Sequence, residues 1–245
     1  MDRIDGRLRD HLRPLTFQKD FSLYAEGSVL TKFGNTHVLC NVTLDDSLPN
    51  WLRRSPEIHG WLTAEYALLP RSTQRRVRRE SRWPKGRTQE ISRLIGRSLR
   101  MAVDLELLGQ RQLIVDCDVL QADGGTRTAA ISGAWIAVNL ALRPLIDKGI
   151  LPPEVLQRQI AAISVGVVKG IPMLDLAYDE DISADVDLNI VTSSRGEIIE
   201  IQGTAEKNPL DRKVLNELLD LASIGIDQIC QYQLEALSPI SPADV

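Results

Sequence analysis

The segment "DGGTRTA", residues 123–129, places two glycines, a threonine and an arginine where an apolar run gives way to an alanine-rich helical pattern. Gly124 and Gly125 lack β-carbons, so their backbone can take unusual angles and approach a ligand closely. A helix N-terminus offers unpaired N–H groups and partial positive charge, which suits an oxyanion. Thr126 adds a hydroxyl donor, and Arg127 adds a planar fork that matches phosphate in a bidentate way. The spacing is not GxxxxGK[ST], which argues against a nucleoside-triphosphate P-loop. The same residues also read as a tight turn with a surface arginine, and the motif alone does not choose.

Two further groups of residues bear on that choice. Arg87, in "KGRTQEISRLIGRSLR" (85–100), stands just before a helix start, where a second anion contact fits. Arg93, Arg97 and Arg100 continue along that helix as a cationic stripe, and the spacings Glu90–Arg93 and Arg100–Asp104 read as ordinary helix pairing. The acidic segment "YDEDISADVDLN" (178–189) puts Asp179, Glu180 and Asp181 at a turn. In the strand that follows, the period of two sets Asp185, Asp187 and Asn189 on one face. Carboxylates presented from a turn and an adjacent strand can hold a hydrated Mg²⁺ or act as acid and base, and they also read as a solvated strand face. Asp116 and Asp118 alternate similarly in "VDCDV", but their strand is otherwise apolar, so a structural role with each carboxylate hydrogen-bonded is expected.

The charge distribution adds a fourth element. Within residues 71–87, Arg71, Arg75, Arg76, Arg78, Arg79, Arg82, Lys85 and Arg87 face only Glu80, a window of +7 in a chain of net charge −4. The remainder therefore carries −11. Like charge this dense is expected in an exposed loop, and in an acidic protein it is the footprint of a polyanion, RNA or DNA phosphates first. An oxyanion cradle, a carboxylate cluster and a polycationic loop together fit phosphoryl-group chemistry on a nucleic acid.

The elements that must position these groups follow from periodicity. Residues 27–45 read as two strands around a turn at Gly34–Asn35, and 60–70 as another strand closed by Pro70. Thr88 caps a predicted helix to about Leu108, with Ile91, Leu94, Ile95, Leu99 and Ala102 on its apolar face. A strand over 111–123 leads to a helix over 126–142 ending before Pro144. Four strand-like runs follow, and from Pro209 a helix to about Leu237, broken or bent at Gly225.

The order predicts an α+β or layered α/β fold of two loosely similar halves, each closed by helix, within one compact unit. Composition is that of a soluble protein, at 43% apolar and 25% charged. No secretion signal and no 18-residue apolar run of a membrane helix are expected. Cys40, Cys117 and Cys230 lie far apart in apolar runs and are expected to be buried reduced thiols of a cytosolic protein, and the three histidines have no zinc-ligand spacing.

Nearly the whole chain resembles the ribonuclease PH family of bacterial phosphorolytic 3′→5′ exoribonucleases that trim transfer-RNA precursors. The resemblance is carried by "DGR" near the start, "GSVLTKFGNTHVLC", "GWLTAEYALLPRST", "GRTQEISRLIGRSLR", "DCDVLQADGGTRTAA", "DLNIV" and "IQGTAE". It implies an α+β fold (S5 domain 2-like) of two pseudo-symmetric βαβ-type halves packed around central helices. The unit would be a single domain over 1–245, with a core of about 10–237 and a short tail over 238–245. It also implies a cytoplasmic homohexameric ring, a trimer of dimers.

By the same resemblance, Arg87, Gly125, Thr126 and Arg127 bind inorganic phosphate, the co-substrate. Asp181 and Asp187 are the catalytic and metal-binding pair, with Mg²⁺ the implied ion. Arg71, Arg75, Arg76, Arg78 and Arg79 contact RNA. Trp83 and Pro84 stand where small or polar residues are usual, and Lys207 where glycine is common. The implied reaction removes nucleotides from RNA 3′ ends as nucleoside 5′-diphosphates and is reversible. A hydrolytic use of the carboxylates leaves the arginine-lined pocket without a purpose. A catalytically weak RNA-binding ring subunit of the exosome-core type is the non-enzymatic alternative.

Overall fold

The computed structural model describes residues 3–56, 58–80, 86–207 and 209–238. Arg82, Trp83, Pro84 and Lys85, and the tail beyond Ser238, lie outside the described residues. Strands β1 (Leu15–Lys19), β2 (Gly27–Phe33), β3 (Thr36–Asp45), β4 (Trp61–Leu68) and β5 (Gln112–Gln121) form one sheet in the order β1-β2-β3-β5-β4. Only β4 and β5 run parallel, because helix α1 (Gly86–Arg100) crosses between them. The second sheet is antiparallel throughout: β6 (Ile160–Val168), β7 (Ile171–Leu174), β8 (Val186–Ser193) and β9 (Ile198–Ala205), in the order β7-β6-β8-β9.

Helix α3 (Thr126–Asp147) packs against β2 and β3 of the first sheet and β6 of the second. Its small residues make that possible. Ala130, Ala134 and Ala137 are fully buried, and a side chain at Gly133 would overlap the Thr31 hydroxyl on β2. One continuous hydrophobic cluster runs through both sheets and α3, which makes the two halves a single core. α3 is also long and apolar enough to cross a membrane by length and composition, contrary to expectation. Most of its residues are buried, so its apolarity is that of a core helix enclosed by protein. The three cysteines are buried and free, as expected.

The structure differs from the predicted elements at several points. α1 ends at Arg100, since the Ala102 carbonyl accepts from Gln157 N–H (2.9 Å) and Val103 bridges to Leu156. A separate short helix α2 (Leu105–Leu108) then begins, with Asp104 Oδ1 accepting from the N–H groups of Glu106 and Leu107. α3 runs through Pro144 to Asp147, its final turn held by Leu142, Leu145 and Ile146 against the core. The run after Leu174 is not a continued strand. It bends at Asp175, whose φ is 52°, and forms helix α4 (Tyr178–Ser183). Helix α5 (Arg212–Leu237) is unbroken at Gly225, which instead lets the helix lie close over Leu174. Strand β1 had no expected counterpart.

Candidate active site

The predicted phosphate loop and acidic segment meet at one cavity beside the N-terminus of α3, the helix that packs against both sheets. A cavity of about 320 Å³ is lined by Arg87, Gly124, Gly125, Thr126, Arg127, Asp181 and Asp187, together with Ser164, Tyr178 and Asn189. The side chains arrive from four elements. Arg87 comes from the first turn of α1, Thr126 and Arg127 from the first turn of α3, Asp181 from α4, and Asp187 from β8.

The loop geometry follows from its glycines. Gly124 and Gly125 have φ of 74° and 64°, in the left-handed region that glycine tolerates without strain. A β-carbon on Gly124 would lie 2.5 Å from the Leu176 carbonyl, so the loop seats directly against the chain entering α4. Gly125 occupies the N-cap of α3 and supplies no side-chain cap, which leaves the first-turn N–H groups directed at the cavity without one. Thr126 is fixed by a 2.8 Å hydrogen bond with the hydroxyl of buried Tyr66. Burial raises the Tyr66 pKa, which keeps that phenol protonated.

Arg127 is aimed by a pair of residues that the sequence reading did not single out for this site. Its Nη1 donates to Gln202 Oε1 at 2.7 Å, and its Nη2 lies 3.5 Å from Glu90 Oε2. Gln202 Nε2 in turn donates to Glu90 Oε1 at 2.5 Å. Glu90 therefore pairs across to α3 and β9 rather than with Arg93. Arg100, likewise, does not pair with Asp104. Its guanidinium lies 4.8 Å from the Trp61 ring centroid and donates to the Leu62 carbonyl. Arg97 pairs with Glu200 at 2.5 Å.

The acidic segment divides three ways. Asp181 and Asp187 both line the cavity, close enough for each to shift the other's pKa. Burial and the neighbouring Asp181 charge push the Asp187 pKa up to about 6, against the pull of Arg127. Burial raises Asp181 as well, opposed by Arg87 and Arg127. Asp185 leaves the site and accepts from Lys207 Nζ at 2.6 Å. Glu180 points into the protein and accepts from Arg3 Nε and Nη2 at 2.7 and 2.6 Å.

Behind the loop lies a buried arginine–carboxylate network that sequence reasoning also missed. Asp175 accepts from the Arg13 backbone N–H (2.8 Å), Nε (3.0 Å) and Nη2 (2.6 Å). Arg13 Nη1 reaches on to the Asp123 carbonyl at 2.5 Å. Asp123 Oδ1 accepts from the Tyr178 N–H at 3.3 Å. The phosphate loop and the start of α4 are thus tied together from behind. Nothing in spacing connects residues 3–13 to residues 175–180.

Asp116 and Asp118 overturn the structural role expected of them. They stand on the outer face of β5 beside Glu65 on β4, and neither accepts a hydrogen bond among the described residues. Burial, and for Asp116 the charges of Glu65 and Asp118, raise their pKa values.

The basic loop is exposed at Arg71, Arg75, Arg76, Arg78 and Arg79. Its base is tied down by Val77 N–H to the Pro70 carbonyl (3.0 Å) and Ala122 N–H to the Ser72 carbonyl (2.8 Å). A second cavity of about 280 Å³, lined by Arg78, Arg79 and Arg87, adjoins the first through Arg87.

A helix N-terminus without a side-chain cap and an adjoining carboxylate pair line one cavity, in a chain whose class the family comparison identifies as that of the 3′ exoribonucleases. Residues 11–144 match the 3′ exoribonuclease family, domain 1, and residues 158–225 match its domain 2. The chain belongs to the ribonuclease PH family within that class. It is 54% identical to ribonuclease PH of Synechococcus elongatus over 235 residues, covering 96% of this chain and 98% of that protein. It is 51% identical to that of Maricaulis maris over 237 residues, covering 96% and 99%.

Among solved structures, rice Rrp46 superposes with a TM-score of 0.77 at 18% identity, covering 96% of this chain and 100% of that one. A chain of the Archaeoglobus fulgidus exosome with RNA bound to the active site gives 0.75 at 24% identity, covering 94% and 92%. At those identities the likeness is one of fold.

Proposed function

We propose that the protein is a phosphorolytic 3′→5′ exoribonuclease that shortens transfer-RNA precursors and other RNA 3′ ends. Inorganic phosphate binds at the α3 N-terminus, against the Gly125 loop, the Thr126 hydroxyl and Arg127, with Arg87 as a further contact. A phosphate oxygen attacks the terminal phosphodiester phosphorus, and the bond from that phosphorus to the 3′-oxygen of the preceding nucleotide breaks. The last nucleotide leaves as a nucleoside 5′-diphosphate, and the freed 3′-oxygen takes up a proton. Arg87 and Arg127 offset repulsion between the two phosphates, the main electrostatic obstacle.

Asp181 and Asp187 are the groups that would hold Mg²⁺. Two carboxylates with open cavity beside them suit an ion that keeps several waters and takes its remaining ligands from substrate phosphates. When bound, that ion would neutralise charge developing on the phosphoryl oxygens. Alternatively, a protonated Asp187 would donate its proton to the leaving 3′-oxygen, and its raised pKa is compatible with that role. The exposed arginines from Arg71 to Arg79 would grip the RNA body and lead its 3′ end past Arg87. We further propose a cytoplasmic hexameric ring, a trimer of dimers, of a single-domain chain, and its free buried thiols suit a reducing compartment.

The gathering of Arg87, Thr126, Arg127, Asp181 and Asp187 around one cavity carries this reading. It also weighs against a catalytically weak ring subunit, in which part of that set would be missing. The test is a 3′-extended transfer RNA incubated with and without phosphate, with products identified. Phosphate-dependent release of nucleoside diphosphates is expected, and monophosphates without phosphate would overturn the proposal. Arg127→Ala should abolish phosphate-dependent trimming while RNA binding is largely kept, and unchanged trimming would remove Arg127 from the site.

A further inference from the structure

We infer that Gln202 is a positioning residue that sets the orientation of the Arg127 guanidinium, an inference that rests on Arg127 binding phosphate. Arg127 is long and flexible, and Thr126 and the helix amides cannot fix where its fork points. Glu90 alone is a poor guide, since its carboxylate lies 3.5 Å from Nη2. The directional contact is the 2.7 Å bond from Nη1 to Gln202 Oε1. Gln202 is itself oriented by its 2.5 Å donation to Glu90 Oε1.

Only a side chain with an acceptor at one branch and a donor at the other satisfies both neighbours. The guanidinium can only donate and the carboxylate can only accept, which also fixes the orientation of the amide. A carboxylate at this position would meet Glu90 as a like charge, and a lysine would meet Arg127 as one.

The location of Gln202 is also rigidly set. It stands on β9 opposite Asn189 of β8, two residues beyond Asp187, and Asn189 and Asp187 both line the cavity. Strand register therefore holds Gln202 at a fixed place relative to the carboxylate pair. Through it the second sheet determines the pose of an arginine carried by α3. Held on this side by Gln202 and Glu90, Arg127 lines the cavity and keeps further N–H groups to donate to a bound phosphate. This gives the glutamine of "IQGTAE" a task that no charge or nucleophile in that motif would suggest.

The measurement is steady-state phosphorolysis of a 3′-extended RNA by the full-length protein, varying phosphate and RNA separately. Gln202→Met keeps size and removes both hydrogen bonds. It should raise the phosphate KM about tenfold while the RNA KM and the kcat at saturating phosphate stay within about twofold. In an Arg127→Lys background, where no fork remains to orient, Gln202→Met should change the phosphate KM by less than about twofold.

An unchanged phosphate KM in the single variant would overturn the inference. So would a parallel loss in both KM values and kcat, or a further tenfold loss in the lysine background. If Arg127→Ala trims as well as the parent, the site reading falls and takes the role of Gln202 with it. If Arg127→Ala is inactive and Gln202→Met is normal, only the inference about Gln202 fails.

Discussion

Glu180 and Asp181 are adjacent on α4, yet the fold holds them in opposite states. Burial opposes ionisation of Glu180, but hydrogen bonds and charge from Arg3, with the Ala177 N–H and Arg7, bring its pKa below the ordinary value. Burial opposes ionisation of Asp181 as well, and there the more distant Arg87 and Arg127 do not make up the difference, so its pKa stays raised. Asp175 repeats the first case behind the phosphate loop, and Asp187 repeats the second within the cavity. Burial is common to all four carboxylates. What separates them is whether cations and N–H donors touch the oxygens directly. The paired set is committed to holding two chain segments together, whereas the unpaired set keeps coordination capacity for a ligand.

The largest effect should come from breaking the paired set. Asp175→Ala removes the acceptors of three Arg13 hydrogen bonds and leaves a buried guanidinium without its counter-charge. A loss of about 3–5 kcal/mol is expected, read as a fall in the urea unfolding midpoint at pH 7. Because the Asp175 pKa is lowered, this contribution is present above the unfolded value of about 4 and fades as pH falls through the folded pKa. A variant within about 1 kcal/mol of the parent at pH 7 would dissolve the distinction between the two sets.

The unpaired set should behave with the opposite sign. A folded pKa of about 6 for Asp187 means that the folded protein binds more protons than the unfolded chain between pH about 4 and 6. Asp187 thus lowers stability as pH rises through that window, and the cost is complete above pH 6. Without added metal, Asp187→Asn should gain thermal stability relative to the parent as pH is raised from 4 to 7, by a few degrees in Tm. It should also lose phosphorolysis. A Tm difference independent of pH would mean that Asp187 is not held in the raised state.

How far these differences were legible in sequence depended on the range over which they act. The strand period put Asp187 and Asn189 on one face, and the glycine–threonine–arginine turn announced the α3 N-terminus, because both signals are local. Asp185 shares that period but pairs with Lys207, since the strand begins only at Val186 and frees Asp185 at its edge. Helix spacing pointed Glu90 to Arg93, whereas the fold turned it to Arg127 and Gln202 from two distant elements. The Arg3–Glu180 and Arg13–Asp175 pairs join residues more than 160 positions apart, and no periodicity encodes such contacts. Asp116 and Asp118 misled because alternation shows which face a residue occupies but not whether a partner waits there.

Arginines give the same comparison its weakest stability effect. Arg3 and Arg13 are buried against carboxylates, whereas Arg75, Arg76, Arg78 and Arg79 are exposed and form no salt bridge among the described residues. Replacing those four by alanine should shift the unfolding free energy by less than about 0.5 kcal/mol per residue, since exposed side chains outside salt bridges contribute little to the fold. Their effect should fall on RNA instead. Each lost phosphate contact should flatten the dependence of log affinity on log salt by about 0.7–0.9, or about three units for the set. The readout is transfer-RNA binding across a salt series, paired with urea unfolding of the same variant. An unaltered salt slope would make the loop a solvated surface, and a large loss of stability would place its arginines with the buried ones.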